Sequence, residues 1–134
     1  MESHNFFLQT NTREEMIDIT EEIKEILQKK SSIRNGYIKI SIPHTTAGVT
    51  INENADRAVE NDILHILRKI IPKSRDYSHA EGNSDAHMKS SLMGTRVDIM
   101  LEHGQLKLGR WQGIFFCEFD GPRSRKVYVN IFKE

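Results

Sequence analysis

Three short runs in this chain alternate apolar and polar residues with a period of two, and they constrain the fold more than anything else in it. Ile38, Ile40 and Ile42 share one face of 37–42. Val97, Ile99 and Leu101 alternate with Arg96, Asp98 and Met100. Val127, Val129 and Ile131 share a face of 126–132. Successive side chains of a strand point to opposite faces, so each run is a strand that offers one face to a core. Further strands are expected over 6–9, 16–19, 47–51, 105–108 and 111–119, most of them joined to a neighbour by a short turn. Asn35-Gly36, His103-Gly104 and Asp120-Gly121-Pro122-Arg123 are turn signals.

Two segments switch to helical spacing. Ile19, Ile23, Ile26 and Leu27 follow one, with Thr20 as the expected N-cap, Glu21 and Glu22 in the first turn and Lys29 and Lys30 at the end. Val59, Ile63, Ile66, Leu67 and Ile70 mark the other, with Asp56 in its first turn and Pro72 as its stop. A short helix over 85–93 is expected, capped by Asn83 or Ser84 and ended by Gly94. Strands outnumber helices. The expectation is therefore a single compact α+β domain over 1–134, mainly antiparallel sheet with two main helices and one short one.

The 134 residues, 37% hydrophobic and 28% charged, suffice for one core and fit a globular domain. A formal net charge of zero argues against a nucleic-acid partner, which a basic excess would favour. Cys117 is the only cysteine, 1–10 lacks the basic start and apolar run of a signal peptide, and no window approaches a bilayer span. A cytoplasmic location without membrane association is expected. Cys117 lies in the apolar run 114–119 and reads as a core residue, while Trp111, Phe115, Phe116 and Phe119 read as core or subunit interface.

Between the second helix and the strand at 96 lies 77–94, YSHAEGNSDAHMKSSLMG. Its first half has one aliphatic side chain, Ala80, and so little to bury. Polar residues on a loop held by a rigid scaffold are where chemistry concentrates. His44, at a break between strands after Pro43, joins His79 and His87 as a set of imidazoles able to bind a metal or a substrate. Neither HExxH nor CxxC spacing is present. Glu53, Asp56, Glu81, Asn83 and Asp85 could orient those imidazoles, serve as general bases or hold Mg²⁺ beside a phosphate, although Asp56 and Asp85 also suit plain helix starts. Arg123 and Arg125, beside a turn, could clamp a phosphate or carboxylate, or simply face solvent. Thr45-Thr46 and Ser90-Ser91 add hydroxyls. His4, His65 and His103 read as surface residues.

Several unusual motifs in this order resemble the YjbQ-like family along nearly the whole chain. They are Pro43-His44-Thr45-Thr46-Ala47, Asn52-Glu53-Asn54-Ala55-Asp56, the run His79 to His87, Gly109-Arg110-Trp111-Gln112-Gly113-Ile114 and Glu118-Phe119-Asp120-Gly121-Pro122-Arg123. The resemblance implies a compact α+β fold assembled as a homotrimer, with the site near the subunit interface. It implies a polar cluster made here of His44, Thr45, Glu53, Asp56, His79, Glu81, Asn83, Asp85 and His87. It also implies a secondary thiamine-phosphate synthase activity, joining a pyrimidine diphosphate to a thiazole phosphate with loss of pyrophosphate. Three readings stay open: that transferase, with Mg²⁺ held on a diphosphate by carboxylates such as Glu53, Asp56 or Asp85; a metal-dependent hydrolase or other small-molecule enzyme with zinc or a similar ion on His44, His79 and His87; and a trimeric ligand- or metal-binding protein without catalysis.

Overall fold

The structure, a computed structural model, describes residues 1–74 and 76–134. Its strands are β1 (Glu2–Gln9), β2 (Glu15–Asp18), β3 (Gly36–Ser41), β4 (Ala47–Glu53), β5 (Arg96–Glu102), β6 (Gln105–Leu106), β7 (Gln112–Glu118) and β8 (Ser124–Lys133). Its helices are α1 (Thr20–Lys30), α2 (Arg57–Ile70) and α3 (Ser84–Met93). All pairings are antiparallel. Where a single sheet was expected, there are two, ordered β1-β8-β3-β5-β6 and β2-β7-β4. The interruption at 43–46 is the crossing from β3 in the larger sheet to β4 in the smaller, and 119–123 makes the return crossing from β7 to β8.

This layering explains which strands alternate and which do not. Ile38, Ile40, Ile99, Val127, Val129 and Ile131 project from the large sheet onto Val49, Ile114 and Phe116 of the small one, with Ile23, Ile26 and Leu27 of α1 completing the core. The other face of the large sheet is open, and there Tyr37 stacks on Phe132 with centroids 4.7 Å apart. β7 instead buries both faces, because Phe115, Cys117 and Phe119 turn away from the large sheet onto Leu64, Leu67 and Ala86 of the helices. Its sequence is accordingly a continuous apolar run. Trp111, just before β7, is 55% exposed with Arg110 over its ring, so it is not a core residue.

Two helix details differ from expectation. The cap of α1 falls on Ile19, not Thr20. Asp18 Oδ1 accepts from both the N–H and the hydroxyl of Thr20, which frees Thr20 Oγ1 to accept from Ile114 N–H at 2.9 Å. On α2 the buried residues are Glu60, Leu64 and Leu67, while Ile66 and Ile70 of the expected stripe are about half exposed. The packed face is thus rotated from the one that the isoleucines suggest.

α3 packs on β4, and the sequence makes room for it at Gly48. A Cβ there would lie 2.6 Å from the carbonyl oxygen of Gly94, which accepts from Val49 N–H at 3.0 Å. Gly94 ends α3 at φ +94, a conformation open chiefly to glycine. Ser90 Oγ donates to Ala47 O at 2.5 Å. Helix and strand therefore meet through backbone groups, and this fixes the polar start of α3.

Candidate functional site

The start of α3 presents a chain of polar contacts. Asn83 occupies the N-cap position but makes no capping bond with its side chain. Its Nδ2 donates to Asp120 Oδ2 at 2.9 Å, and its Oδ1 lies 3.0 Å from His79 Nε2. Burial pushes the Asp120 carboxyl up, but hydrogen bonds from Asn83 and Arg123 and the charges of Arg123 and Arg13 hold it below the usual range. An ionised carboxylate only accepts, so Asn83 must turn its amide nitrogen to Asp120 and its oxygen to His79. His79 then carries its proton on Nε2 and leaves Nδ1 as a free acceptor. The His87 ring lies edge-on to His79, with centroids 5.2 Å apart. Both rings line an open cleft of about 1000 Å³ together with Tyr77, Ser84, Met88 and Leu92. Tyr77 is held in place by its hydroxyl, which donates to Pro72 O at 2.5 Å.

Beneath this surface is a buried ionic clasp. Asp85 is wholly buried and receives both Arg13 guanidinium nitrogens, at 3.2 and 2.9 Å, and Lys89 Nζ at 3.0 Å. Lys89, 1% exposed, also donates to Glu14 Oε2 at 2.6 Å, and Arg68 of α2 reaches Glu14 Oε1 at 3.3 Å. Burial pushes the Asp85 carboxyl up, and the hydrogen bonds and charges of Arg13 and Lys89 overcome it and hold the pKa low. Asp85, expected as a base or Mg²⁺ ligand, is thus found committed to two cations of the fold, Arg13 and Lys89.

A second buried pair lies where the chain crosses between sheets. Arg125, 4% exposed, donates through Nε and Nη2 to the two oxygens of Glu118 and through Nη2 to Thr46 Oγ1 at 2.9 Å. Thr10 Oγ1 donates to Glu118 Oε1 at 2.7 Å. Burial raises the Glu118 carboxyl and these donors more than offset it, so it is ionised. Arg125 is therefore unavailable as a phosphate clamp. Arg123 remains outside, its side chain 53% exposed, with Nε on Asp120 O and Nη2 on Asp120 Oδ2.

The remaining expected residues divide. His44 Nε2 accepts from Lys126 N–H at 2.9 Å, so its proton sits on Nδ1. Burial first, then the nearby Arg125 charge, lowers its pKa. Thr45 is exposed in this crossing, and the buried Thr46 beside it makes the side-chain contact to Arg125. Glu53 ends β4 opposite Gln112. Asp56 caps α2, accepting from Ala58 N–H at 2.9 Å. Glu81 is exposed, with Oε2 3.7 Å from His79 Nε2. Among the described residues no three of His, Cys, Asp and Glu converge to hold a metal, so His44, His79 and His87 do not form a three-ligand site within one chain. His79 and His87 come together; His44, Glu53 and Asp56 do not join them.

Sequence reading passed over Arg13, Glu14, Lys89, Thr10 and the burial of Glu118. Two signals were present. Lys89 follows Asp85 at helical i,i+4 spacing, and Glu118 is a lone charge in an otherwise apolar strand, where a partner is obligatory. Arg13 and Glu14 gave none, since only the tertiary fold brings 13–14 to α3.

Two face-to-face antiparallel sheets, with α2 and α3 packed on the smaller one and an open cleft of about 1000 Å³ at the start of α3, define an α+β protein. A family model described as UPF0047 protein YjbQ-like matches residues 4–134, and the chain belongs to that family. It is 52% identical over 124 residues to the UPF0047 protein MJ1081 of Methanocaldococcus jannaschii, a match that covers 92% of this chain and 89% of that one. It is 49% identical over 125 residues to the UPF0047 protein YugU of Bacillus subtilis, covering 92% and 94%. A crystal structure of a YjbQ/UPF0047 family protein from Clostridium acetobutylicum superposes with a TM-score of 0.94 at 52% identity, covering 96% of this chain and 99% of that one.

Proposed function

We propose that this protein is a cytoplasmic enzyme acting on a small phosphorylated substrate in the cleft between His79 and His87. The observation that carries the reading is the pair itself: two imidazoles edge-on at 5.2 Å in an open cleft, one with its tautomer set by Asn83 and Asp120. A histidine with a ring nitrogen open to a cleft has the chemistry that a general acid–base needs. The apolar side chains of Met88 and Leu92 offer a face for a heterocycle, and Arg123, half-exposed and linked to His79 through Asp120 and Asn83, is the cation nearest in that chain of contacts for a phosphate. The finer reading follows the family resemblance: a secondary thiamine-phosphate synthase activity. In it the thiazole nitrogen forms a bond to the pyrimidine methylene carbon, and pyrophosphate departs with the bonding electrons.

The proposal includes a homotrimer with the cleft near a subunit boundary, where half-exposed Ile66, Ile70, Met88 and Leu92 could be covered. A divalent metal, zinc or magnesium, belongs to it only with donors from beyond one chain, because His79 and His87 supply two ligands at most. The decisive assay is formation of thiamine phosphate from the two substrates with added Mg²⁺. His79→Ala and His87→Ala should each lower the rate by about 100-fold or more. Unchanged rates in both variants would sink the assignment, and light scattering that gives a monomer mass would remove the trimer.

A further inference from the structure

The packed face of α2 holds a carboxylate that the fold does not satisfy. Glu60 is 9% exposed, one turn before Leu64 on the buried side of the helix, and its Oε2 is shut off from solvent without a hydrogen-bond partner. Among the described residues no hydrogen bond or ion pair reaches the Glu60 side chain, whereas the other two buried acids, Asp85 and Glu118, are held by cations and a hydroxyl. A buried charge without a partner is strongly unfavourable, so such a group marks a place where a partner belongs.

Glu60 lines a groove of about 560 Å³ between β1, β2 and α2, on a part of the surface formed by other residues than the His79–His87 cleft. Its walls join two kinds of surface. Leu8, Met16, Leu64 and Phe115 are apolar, and Glu14, Glu15 and Asp18 are acidic. Much of that acidity is already used: Glu14 by Lys89 and Arg68, Glu15 by the N–H groups of Asn11 and Thr12, Asp18 by Thr20 and Asn54. Glu60 is the acid left over. Arg57, one turn earlier on α2, also lines the groove, yet it makes no ion pair with Glu60. A metal ion is disfavoured, since no three ligands converge there among the described residues. A cation with an alkyl stem suits both surfaces, its head on Glu60 and its methylenes along Leu8, Met16 and Phe115.

We propose that this groove binds a small organic cation, an alkylammonium or alkylguanidinium compound, with Glu60 as its counter-ion. Calorimetric titration of the full chain with 1,4-diaminobutane and with agmatine tests it. Saturable binding to wild type is expected, weakened at least tenfold in Glu60→Gln and retained in His87→Ala, which keeps this groove distinct from the proposed enzyme site. The melting temperature of wild type, but not of Glu60→Gln, should rise with ligand. Arg57→Ala should bind at least as tightly, because it removes the competing cation of the groove. No binding of either amine, equal binding in Glu60→Gln, or loss of binding in Arg57→Ala overturns the proposal. So does a change of particle mass in Glu60→Gln at the same concentration, which would assign the missing cation to a second copy of the chain.

Discussion

Asn83 donates a hydrogen bond to Asp120 at 2.9 Å and so ties the first turn of α3 to the loop that leaves β7. Because Asp120 is ionised and can only accept, this one contact settles which way the amide faces and hence which nitrogen of His79 bears the proton. Long-range ¹H–¹⁵N spectra at pH 8 should show His79 protonated at Nε2. In Asn83→Leu that preference should disappear, and if the cleft works as proposed, thiamine phosphate formation should fall by about 10- to 100-fold, as expected when a residue that orients an imidazole is lost. An Nδ1-protonated His79 in the wild type would contradict the relay.

The clasp around Lys89 carries a stability prediction. Lys89→Met removes a cation shared by Asp85 and Glu14, both nearly inaccessible to water. Breaking a buried pair from one side costs about 3–5 kcal/mol, most of it from the charge left behind. Urea unfolding should therefore show a loss of that order. Asp85→Asn in the Lys89→Met background should cost less than it does alone, since the two side chains share one network. Additive losses would mean that the 3.0 Å contact contributes nothing as a pair.

Three carboxyls and one imidazole give the protein an acid-sensitive stability. Asp85, Glu118 and Asp120 have folded pKa values below their ordinary ones. Their stabilisation is complete above the unfolded value, about 4, and is lost as pH falls through the folded values. His44 is also depressed, by burial and by Arg125, so it too stabilises above its unfolded value of about 6.5 and loses that contribution as pH falls below it. The urea midpoint should be level from pH 8 to 7, decline below about 6.5, and drop more steeply below about 4. In His44→Gln, whose amide oxygen can still accept from Lys126 N–H, the decline between 6.5 and 5 should flatten. An unchanged slope would remove His44 from this account.

What could be read from the sequence followed the local signals. The alternation at 37–42, 96–101 and 126–132 placed three strands of the large sheet, because period two is a property of neighbouring residues. The division into two sheets was not legible, because a crossing at His44-Thr45-Thr46 looks the same as a bulge within one strand. Likewise the isoleucines of α2 suggested a stripe that the fold rotates towards Glu60 and Leu64. For the site, His79, Asn83 and His87 stood out by their polar company, and they do meet. Asp85 and Arg125 stood out for the same reason, yet each is buried with partners from distant segments: Arg13 lies 72 residues from Asp85, and Thr46 lies 79 from Arg125. Polar composition locates ionisable groups. Only tertiary placement separates the exposed ones from those holding the fold together.

Cys117 offers a probe of that fold. Its thiol is buried between β7 and the helices, and burial alone pushes its pKa up to about 12. The thiolate is the reactive form, so both access and ionisation protect it. In native protein at pH 8 a chromogenic disulfide reagent should label Cys117 only as fast as the molecule opens, and in 8 M urea it should label it at once. Because Cys117 shares its cluster with Leu64, Leu67 and Ala86, Leu67→Ala should accelerate native labelling strongly. The expected destabilisation of about 2–5 kcal/mol corresponds to roughly 30-fold or more in the open fraction. Labelling that is fast in the wild type, or indifferent to Leu67→Ala, would show that α2 opens independently of the core beneath it.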